Sequence, residues 1–282
     1  MFDIKSFGII GGDKRQLYCA RSIAEDGYSV SVCGFDKCGT LHGIENTELH
    51  SLLSSCDAFV LPLPCSRDGV TVNAPLSTET ITLGSDELEL IGSKPVFAGM
   101  KDRLPLNGCR VFDYSTREEF AVENAVPTSE GAIEIAMHEY EGTIHSSSCL
   151  VTGYGRIGRV LASMLSGLGA SVTVSARSCR DLAFIRASGF KAIRSDSLSG
   201  TYDIIFNTVP FVLFDACTLA KTASGALLID LASMPGGVDT EAAKRLSIRT
   251  IHALSLPGKA APKSSGAIIK NAVFNIIREE GL

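Results

Sequence analysis

The sequence predicts an α/β protein of two doubly wound parallel-sheet domains with an interdomain cleft. Three observations predict it. The chain has 282 residues, more than one compact domain usually holds. Apolar strand-like segments alternate with amphipathic ones over residues 6–113 and again from residue 146, and strands separated by helices pair in parallel through crossover connections. A composition of 45% hydrophobic and 20% charged residues, with 27 glycines, suits a globular α/β chain rather than a disordered or fibrous one.

In chain order, Ser6–Ile10 reads as a buried strand and Lys14–Glu25 as a helix with Leu17, Ala20 and Ala24 on its apolar stripe. Ser29–Gly34, Ala58–Leu63, Lys94–Ala98 and Arg110–Asp113 read as further strands. Pro127-Thr128-Ser129-Glu130 opens a connecting helix to about Tyr140. The hydroxyls there can cap free N–H groups, and Glu130 suits the helix dipole. A second series follows. It has a strand at Ser146–Thr152, a glycine-rich turn, a helix to Leu168, and strands at Ser171–Ala176, Asp203–Asn207, Ala226–Asp230 and Arg249–Ile251. Ser264–Glu280 closes the chain as a helix. The domains implied are 1–126, with helix 264–282 packing back on it, and 127–263 for the connecting helix and second sheet.

Several function classes are excluded. Net charge is −5 with no basic run, so a nucleic-acid partner has no electrostatic footprint. No apolar stretch approaches the roughly 20 residues of a membrane span. Met1-Phe2-Asp3-Ile4-Lys5 enters a strand-like segment without a basic and then apolar leader, which predicts a cytoplasmic protein. The nine cysteines form no Cys-x-x-Cys, and an odd, scattered set suits reduced thiols. The spacing shows no metal-ligand set and no Ser-His-Asp pattern.

The segment Gly153-Tyr154-Gly155-Arg156-Ile157-Gly158 carries G-x-G-x-x-G after an apolar strand and opens a helix, the Rossmann setting for a dinucleotide. Gly153 permits the tight turn, Gly155 lets a pyrophosphate approach the backbone, and Gly158 lets helix and strand pack closely. The helix N-terminus then favours phosphate. At the end of the next strand, Ser175-Ala176-Arg177-Ser178 has no carboxylate for a ribose 2′-hydroxyl and offers a guanidinium with two serines. That favours NADP, with NAD as the alternative. Asn207-Thr208-Val209-Pro210 and Asp230 end later strands, where the cleft receiving the nicotinamide is lined.

The N-terminal Gly11-Gly12-Asp13 is a lookalike, with Asp13 and Gln16 where glycines would stand. Carboxylate and amide there obstruct pyrophosphate. Either Asp13 is an N-cap, or Asp13, Arg15 and Gln16 face the cleft and hold a polar substrate. Lys263, beside the last helix, meets a substrate carboxylate or is solvated. His138 on the connecting helix is an acid/base group or a structural histidine.

Taken together, these segments resemble the family of dipicolinate synthase A subunits over almost the whole chain. The resemblance rests on Gly11-Gly12-Asp13 with Arg15-Gln16, Pro127-Thr128 with Glu130-Gly131, and the Gly153 turn. It continues through Asn207-Thr208 with Pro210, Asp230-Leu231-Ala232-Ser233 with Pro235-Gly236-Gly237, and Leu256-Pro257-Gly258 with Ala261-Pro262-Lys263. It implies oxidation of a dihydrodipicolinate-type ring during sporulation, with a nicotinamide taking the hydride. It also implies a partner, a flavoprotein-like B subunit, and a place in the mother-cell cytoplasm. Under that resemblance Asp13, Arg15, Gln16, Thr128, Glu130 and Lys263 are expected to bind the small dicarboxylate. Arg15 and Lys263 would hold its two carboxylates from opposite walls, and His138 or an ordered water would take the proton. The plan looks like that of alanine and 2-hydroxyacid dehydrogenases, without their Arg-Glu-His set. A stand-alone dehydrogenase of small acids and a non-catalytic NADP sensor are the competing readings, and a homo-oligomer is compatible with each.

Overall fold

A computed structural model of the chain describes residues 4–38, 44–221 and 225–282. Residues 1–3 of the N-terminal segment read above lie outside the described residues. The chain divides into two units, Met1–Asn124 with Ala261–Leu282 and Ala125–Ala260.

Unit 1 runs β1 (Ser6–Ile10), α1 (Lys14–Glu25), β2 (Ser29–Cys33), β3 (Glu45–Asn46), α2 (Leu49–Ser55), β4 (Ala58–Val60), α3 (Ser85–Ile91), β5 (Pro95–Ala98), β6 (Arg110–Asp113) and α4 (Glu118–Glu123). Unit 2 runs α5 (Ala125–Glu139), β7 (Ser148–Thr152), α6 (Arg156–Gly167), β8 (Ser171–Ala176), α7 (Cys179–Ala187), β9 (Lys191–Arg194), β10 (Ile204–Asn207), α8 (Ala216–Ala220), β11 (Leu227–Asp230), α9 (Thr240–Arg245), β12 (Arg249–His252) and α10 (Leu256–Ala260). The last helix, α11 (Pro262–Glu280), belongs to unit 1.

Both sheets are six-stranded and parallel. Their orders are β3-β2-β1-β4-β5-β6 and β12-β11-β10-β7-β8-β9, the same doubly wound order with the first strand at the reversal. The strands are short apolar runs because helices cover both faces. In β1, Phe7 and Ile9 pack into the core under α1 and α11, while Ile10 packs on the opposite face with Leu52 and Phe59. In unit 2, Val151 and Phe206 join the core under α5 and α6, while Leu150 and Ile205 face α8 and α9.

The connecting helix begins at Ala125 rather than at Pro127-Thr128. Ser129 Oγ donates to the Ala125 carbonyl at 2.8 Å, so this hydroxyl bonds back into the preceding turn and caps nothing. The nine cysteines are unpaired, and burial pushes the Cys19 thiol up to about 12 and Cys33 up to about 11. No helix of the described residues is long and apolar enough to cross a membrane.

The seat of α11 on α1 completes the unit 1 core. Ile269, Ala272 and Val273 are buried there, and Phe274 packs on Phe7 and Tyr28 with ring centroids 5.8 and 5.4 Å away. Arg117 holds the far end of the helix through a two-point pair with Glu279, both contacts at 2.7 Å. Close approach at the near end requires Gly266. A Cβ there would stand 2.6 Å from the Arg15 carbonyl and 2.7 Å from the Cys19 amide. Since both are backbone atoms, Gly266→Val must displace a helix. It is expected to cost about 1–3 kcal/mol, read as a lower midpoint in urea unfolding; an unchanged midpoint would refute this account of the packing.

Candidate functional site

The turn between β7 and α6 has the geometry its glycines predict. Gly153 sits at φ +90°, a backbone conformation that penalises side chains. A Cβ there would also lie 2.6 Å from Thr208 Oγ1, which donates to the Thr152 carbonyl at 2.8 Å. A Cβ on Gly158 would strike the Gly153 carbonyl oxygen. Around the Cβ position of Gly155, by contrast, nothing lies within 4 Å. Gly155 is the N-cap of α6, and no side chain caps that helix. The result is a backbone cradle that an anion can approach closely at a positive helix end. It opens into a crevice of about 370 Å³ lined by Gly153, Tyr154, Gly155, Thr208, Val209 and Pro210, within the size range of small-molecule sites. Arg156 is exposed at the first position of α6, and Ile157 is partly buried against the core.

At its other end the crevice is lined by Arg177, Ser178, Ser195, Phe211 and Asp181. The Arg177 guanidinium lies 5.6 Å from the centre of the Phe211 ring, a cation–π distance. Two features differ from expectation. Ser175 is fully buried and takes a hydrogen bond from Ser195 Oγ at 3.2 Å, so Ser195, not Ser175, meets the crevice. A carboxylate also stands here: Asp181 lines the crevice, accepts from Ser178 Oγ at 2.8 Å and donates its amide to the same hydroxyl at 3.0 Å. It arrives by capping the first turn of α7. A serine followed three residues later by an acid is a readable capping signal, whereas Ser195 and Phe211 come from distant loops with no local signal.

Asn207 and Asp230 have a different role from the expected cofactor contact. Both are buried, at 0% and 3% exposure. Strand register sets Asn207 between Thr152 and Asp230. Asn207 Oδ1 accepts from Thr152 Oγ1 at 2.6 Å and the Val209 amide at 3.1 Å. Its Nδ2 donates to Asp230 Oδ1 at 2.8 Å and the Val209 carbonyl at 3.1 Å. Asp230 also accepts from the Ala232 and Gly237 amides, at 3.1 and 2.8 Å. These side chains thus shape the loops after β10 and β11, while Thr208, Val209 and Pro210 present the surface.

In unit 1 the equivalent turn is filled. Gly11 and Gly12 have φ +64° and +105°. The Gly12 amide donates to the Asn73 carbonyl at 2.9 Å, and a Cβ on Gly12 would meet the Gln16 side chain at 2.6 Å. Asp13 is the N-cap of α1, accepting from the Arg15 amide at 2.9 Å, while Gln16 Oε1 accepts from the Asp13 amide at 3.2 Å. Asp13 also pairs with Arg15 Nε at 3.0 Å, and Arg15 Nη2 donates to the Leu63 carbonyl at 2.6 Å. Asp13, Arg15 and Gln16 are therefore brought together at the carboxyl ends of β1 and β4. Gln16 Nε2 is buried with no hydrogen-bond partner among the described residues.

Other expected site residues lie apart from these two turns. Lys263 lines a groove with Tyr18, Arg21, Ser22 and Glu25 of α1. Thr128 is buried in α5. Glu130 and His138 line an apolar groove with Met137, Met164, Gly167 and Leu168, at the far end of the 12-residue α6. A helix of that length spans about 18 Å, which separates His138 from the phosphate turn. The imidazole at the carboxyl edge of the unit 2 sheet is His252, which the sequence reading passed over. Its Nε2 lies 2.9 Å from the Ala232 carbonyl. Because a carbonyl only accepts, Nε2 carries the proton, and in the neutral ring Nδ1 is left as a proton acceptor.

Fold and turn together define a nicotinamide-dinucleotide-binding subunit of the dehydrogenase type. Residues 118–248 match the family described as "D-isomer specific 2-hydroxyacid dehydrogenase, NAD binding domain", and residues 6–109 match the N-terminal domain family of the dipicolinate synthase A subunit. The chain is 31% identical to the A subunit of dipicolinate synthase of Bacillus subtilis (strain 168) over 284 residues, covering 96% of this chain and 95% of the relative. The crystal structure of the Bacillus subtilis dipicolinate synthase A subunit superposes with a TM-score of 0.86 at 30% identity, covering 99% of this chain and 97% of that one. That of the A subunit from Bacillus halodurans also gives 0.86 at 30% identity, with 98% and 99% covered. The chain belongs to the family of dipicolinate synthase A subunits.

Two outcomes test the site. Gly155→Val fills the open cradle without forbidden backbone, so it is expected to keep the unfolding midpoint while weakening dinucleotide binding at least about tenfold. Retained affinity in a fluorescence titration would mean the cradle holds no phosphate. His138→Ala is expected to change kcat by less than about twofold, whereas loss of a general base costs about a hundredfold or more.

Proposed function

We propose that this chain is the A subunit of a dipicolinate synthase, oxidising a dihydrodipicolinate-type ring to dipicolinate with NADP. The observation that carries the reading is likeness to the A subunit of dipicolinate synthase along essentially the full length of both chains, joined to an open phosphate cradle at Gly155. The reaction removes one hydride and one proton from a dihydropyridine dicarboxylate and leaves an aromatic pyridine dicarboxylate. Bound nicotinamide supplies the hydride acceptor.

The chain's own residues supply binding and orientation. The Gly153–Gly158 turn and the start of α6 hold the pyrophosphate, and the row from Thr152 to Asp230 keeps the Val209 and Ala232 loops in place beside it. Arg177 holds the ribose 2′-phosphate, with Asp181 opposing it, so NAD remains usable at lower affinity. Arg15, whose Nη1 makes no hydrogen bond among the described residues, holds one substrate carboxylate. The proton passes to water, and because aromatisation drives the step, its acceptor needs no strong tuning. The subunit would work with a flavoprotein-like B partner in the mother-cell cytoplasm of a sporulating bacterium.

The test mixes the purified chain with NADP and freshly generated dihydrodipicolinate, with and without a B subunit. Reduced-nicotinamide absorbance and the ultraviolet band of the aromatic product are followed together. Both signals should rise in step. NADP binding without either signal would favour a nucleotide sensor. Arg177→Ala should weaken NADP at least about tenfold while sparing NAD, as loss of a charge-assisted phosphate contact does. Equal effects on both dinucleotides would sink the NADP assignment.

A further inference from the structure

A planar dicarboxylate needs two cationic contacts, and Arg15 provides only one. It is buried, with two of its nitrogens already engaged by Asp13 and the Leu63 carbonyl. The chain that follows β4, however, carries a second guanidinium on the same loop that accepts Arg15. The Leu63 carbonyl accepts from Arg15 at 2.6 Å, and the next carbonyl, Pro64, accepts from Asn73 Nδ2 at 3.1 Å. Asn73 Oδ1 in turn takes Nε of Arg67 at 3.1 Å, and the Asn73 carbonyl receives the Gly12 amide. Arg67 is therefore tied by one residue to both the Gly11-Gly12-Asp13 turn and the Leu63-Pro64 segment that holds Arg15.

The remaining donors of Arg67 are open. The residue is exposed, and its Nη groups have no hydrogen-bond partner among the described residues. It lines a surface cavity of about 360 Å³ whose other polar walls include Thr71, Ser77, Thr78 and Thr80. Two carboxylates share that cavity. Asp68 turns into its own loop, accepting from the Val70 and Thr71 amides and from the Ser66 and Thr71 hydroxyls. Glu79 is exposed. Arg67 is the cavity's cation, and it forms an ion pair with neither acid. A guanidinium held at Nε keeps its Nη edge for a carboxylate, the geometry suited to recognising one oxygen pair.

We propose that Arg67 is a specificity-determining residue that binds the second carboxylate of the substrate, with Arg15 on the first, so that unit 1 selects a dicarboxylate over a monocarboxylate. This rests on the dipicolinate reading above. Asn73 is the positioning residue, because it fixes Arg67 without offering charge of its own. Glu79, exposed on the cavity wall, disfavours anions that Arg67 does not neutralise.

The test compares binding of pyridine-2,6-dicarboxylate and pyridine-2-carboxylate to the full chain by calorimetry, with the B subunit present if turnover requires it. The native chain should prefer the dicarboxylate at least about tenfold. Arg67→Ala should erase most of that preference while leaving monocarboxylate affinity and dinucleotide binding unchanged, and Arg67→Lys should restore part of it. Asn73→Ala should show the same loss in weaker form. A variant that merely misfolds would lose both acids and the dinucleotide together. If Arg67→Ala keeps the native preference while the native chain turns the ring over, the Arg67 assignment falls and the dipicolinate reading stands. If the native chain neither binds the dicarboxylate nor oxidises the dihydro ring, both fall.

Discussion

Asn207 is the residue on which the architecture of unit 2 turns. It lies in register between Thr152 and Asp230 on neighbouring strands, and each side-chain hydrogen-bonding capacity is used: two acceptor contacts on Oδ1 and two donor contacts from Nδ2. A buried amide left half-satisfied would cost more than its bonds contribute, so the network is held all together or not at all. Its consequence reaches the surface. Val209 is fastened through both its amide and its carbonyl, and the Ala232–Gly237 segment hangs from the two oxygens of Asp230. The loops after β10 and β11 are thereby shaped by buried side chains.

The two units show how one strand order yields two different sites. In both, the first strand meets the reversal in strand order, where open α/β sheets collect ligands. In unit 2 that point is left open at Gly155. In unit 1 it is closed from two sides, by the Gln16 side chain under Gly12 and by the Asn73 carbonyl on the Gly12 amide. In unit 1 the amides of Gly12 and Asp13 are consumed internally, by the Asn73 carbonyl and by Gln16 Oε1. Around the closed turn, Arg15 bonds the Leu63 carbonyl, the Pro64 carbonyl accepts from Asn73, and Asn73 accepts from Arg67.

Much of the fold was legible because each signal was local. Ser6–Ile10, Lys14–Glu25, Arg110–Asp113 and Ser171–Ala176 have the same limits in the structure as in the sequence reading, since apolar runs bounded by glycine or polar turns carry their own ends. The start of α5 was misplaced, because Pro127-Thr128-Ser129 looks like a cap, yet burial favours extending the helix back to Ala125 and turns Ser129 inward. The site residues divide in the same way. Gly153, Gly155 and Gly158 act through backbone space within one turn. Ser175 and His138 are read from their places at a strand end and on a helix, whereas their surroundings depend on which way that strand or helix faces.

From the sequence alone come the α/β class, the dinucleotide turn with a reason for each glycine, and the family resemblance, because all three are encoded in neighbouring residues and their order. Only the tertiary structure decides that Asp181 enters the Arg177 end of the crevice, that Asn207 and Asp230 brace loops, and that Arg67 reaches the Arg15 turn through Asn73. Those facts depend on distances between residues far apart in the chain, and packing sets such distances where no local pattern records them.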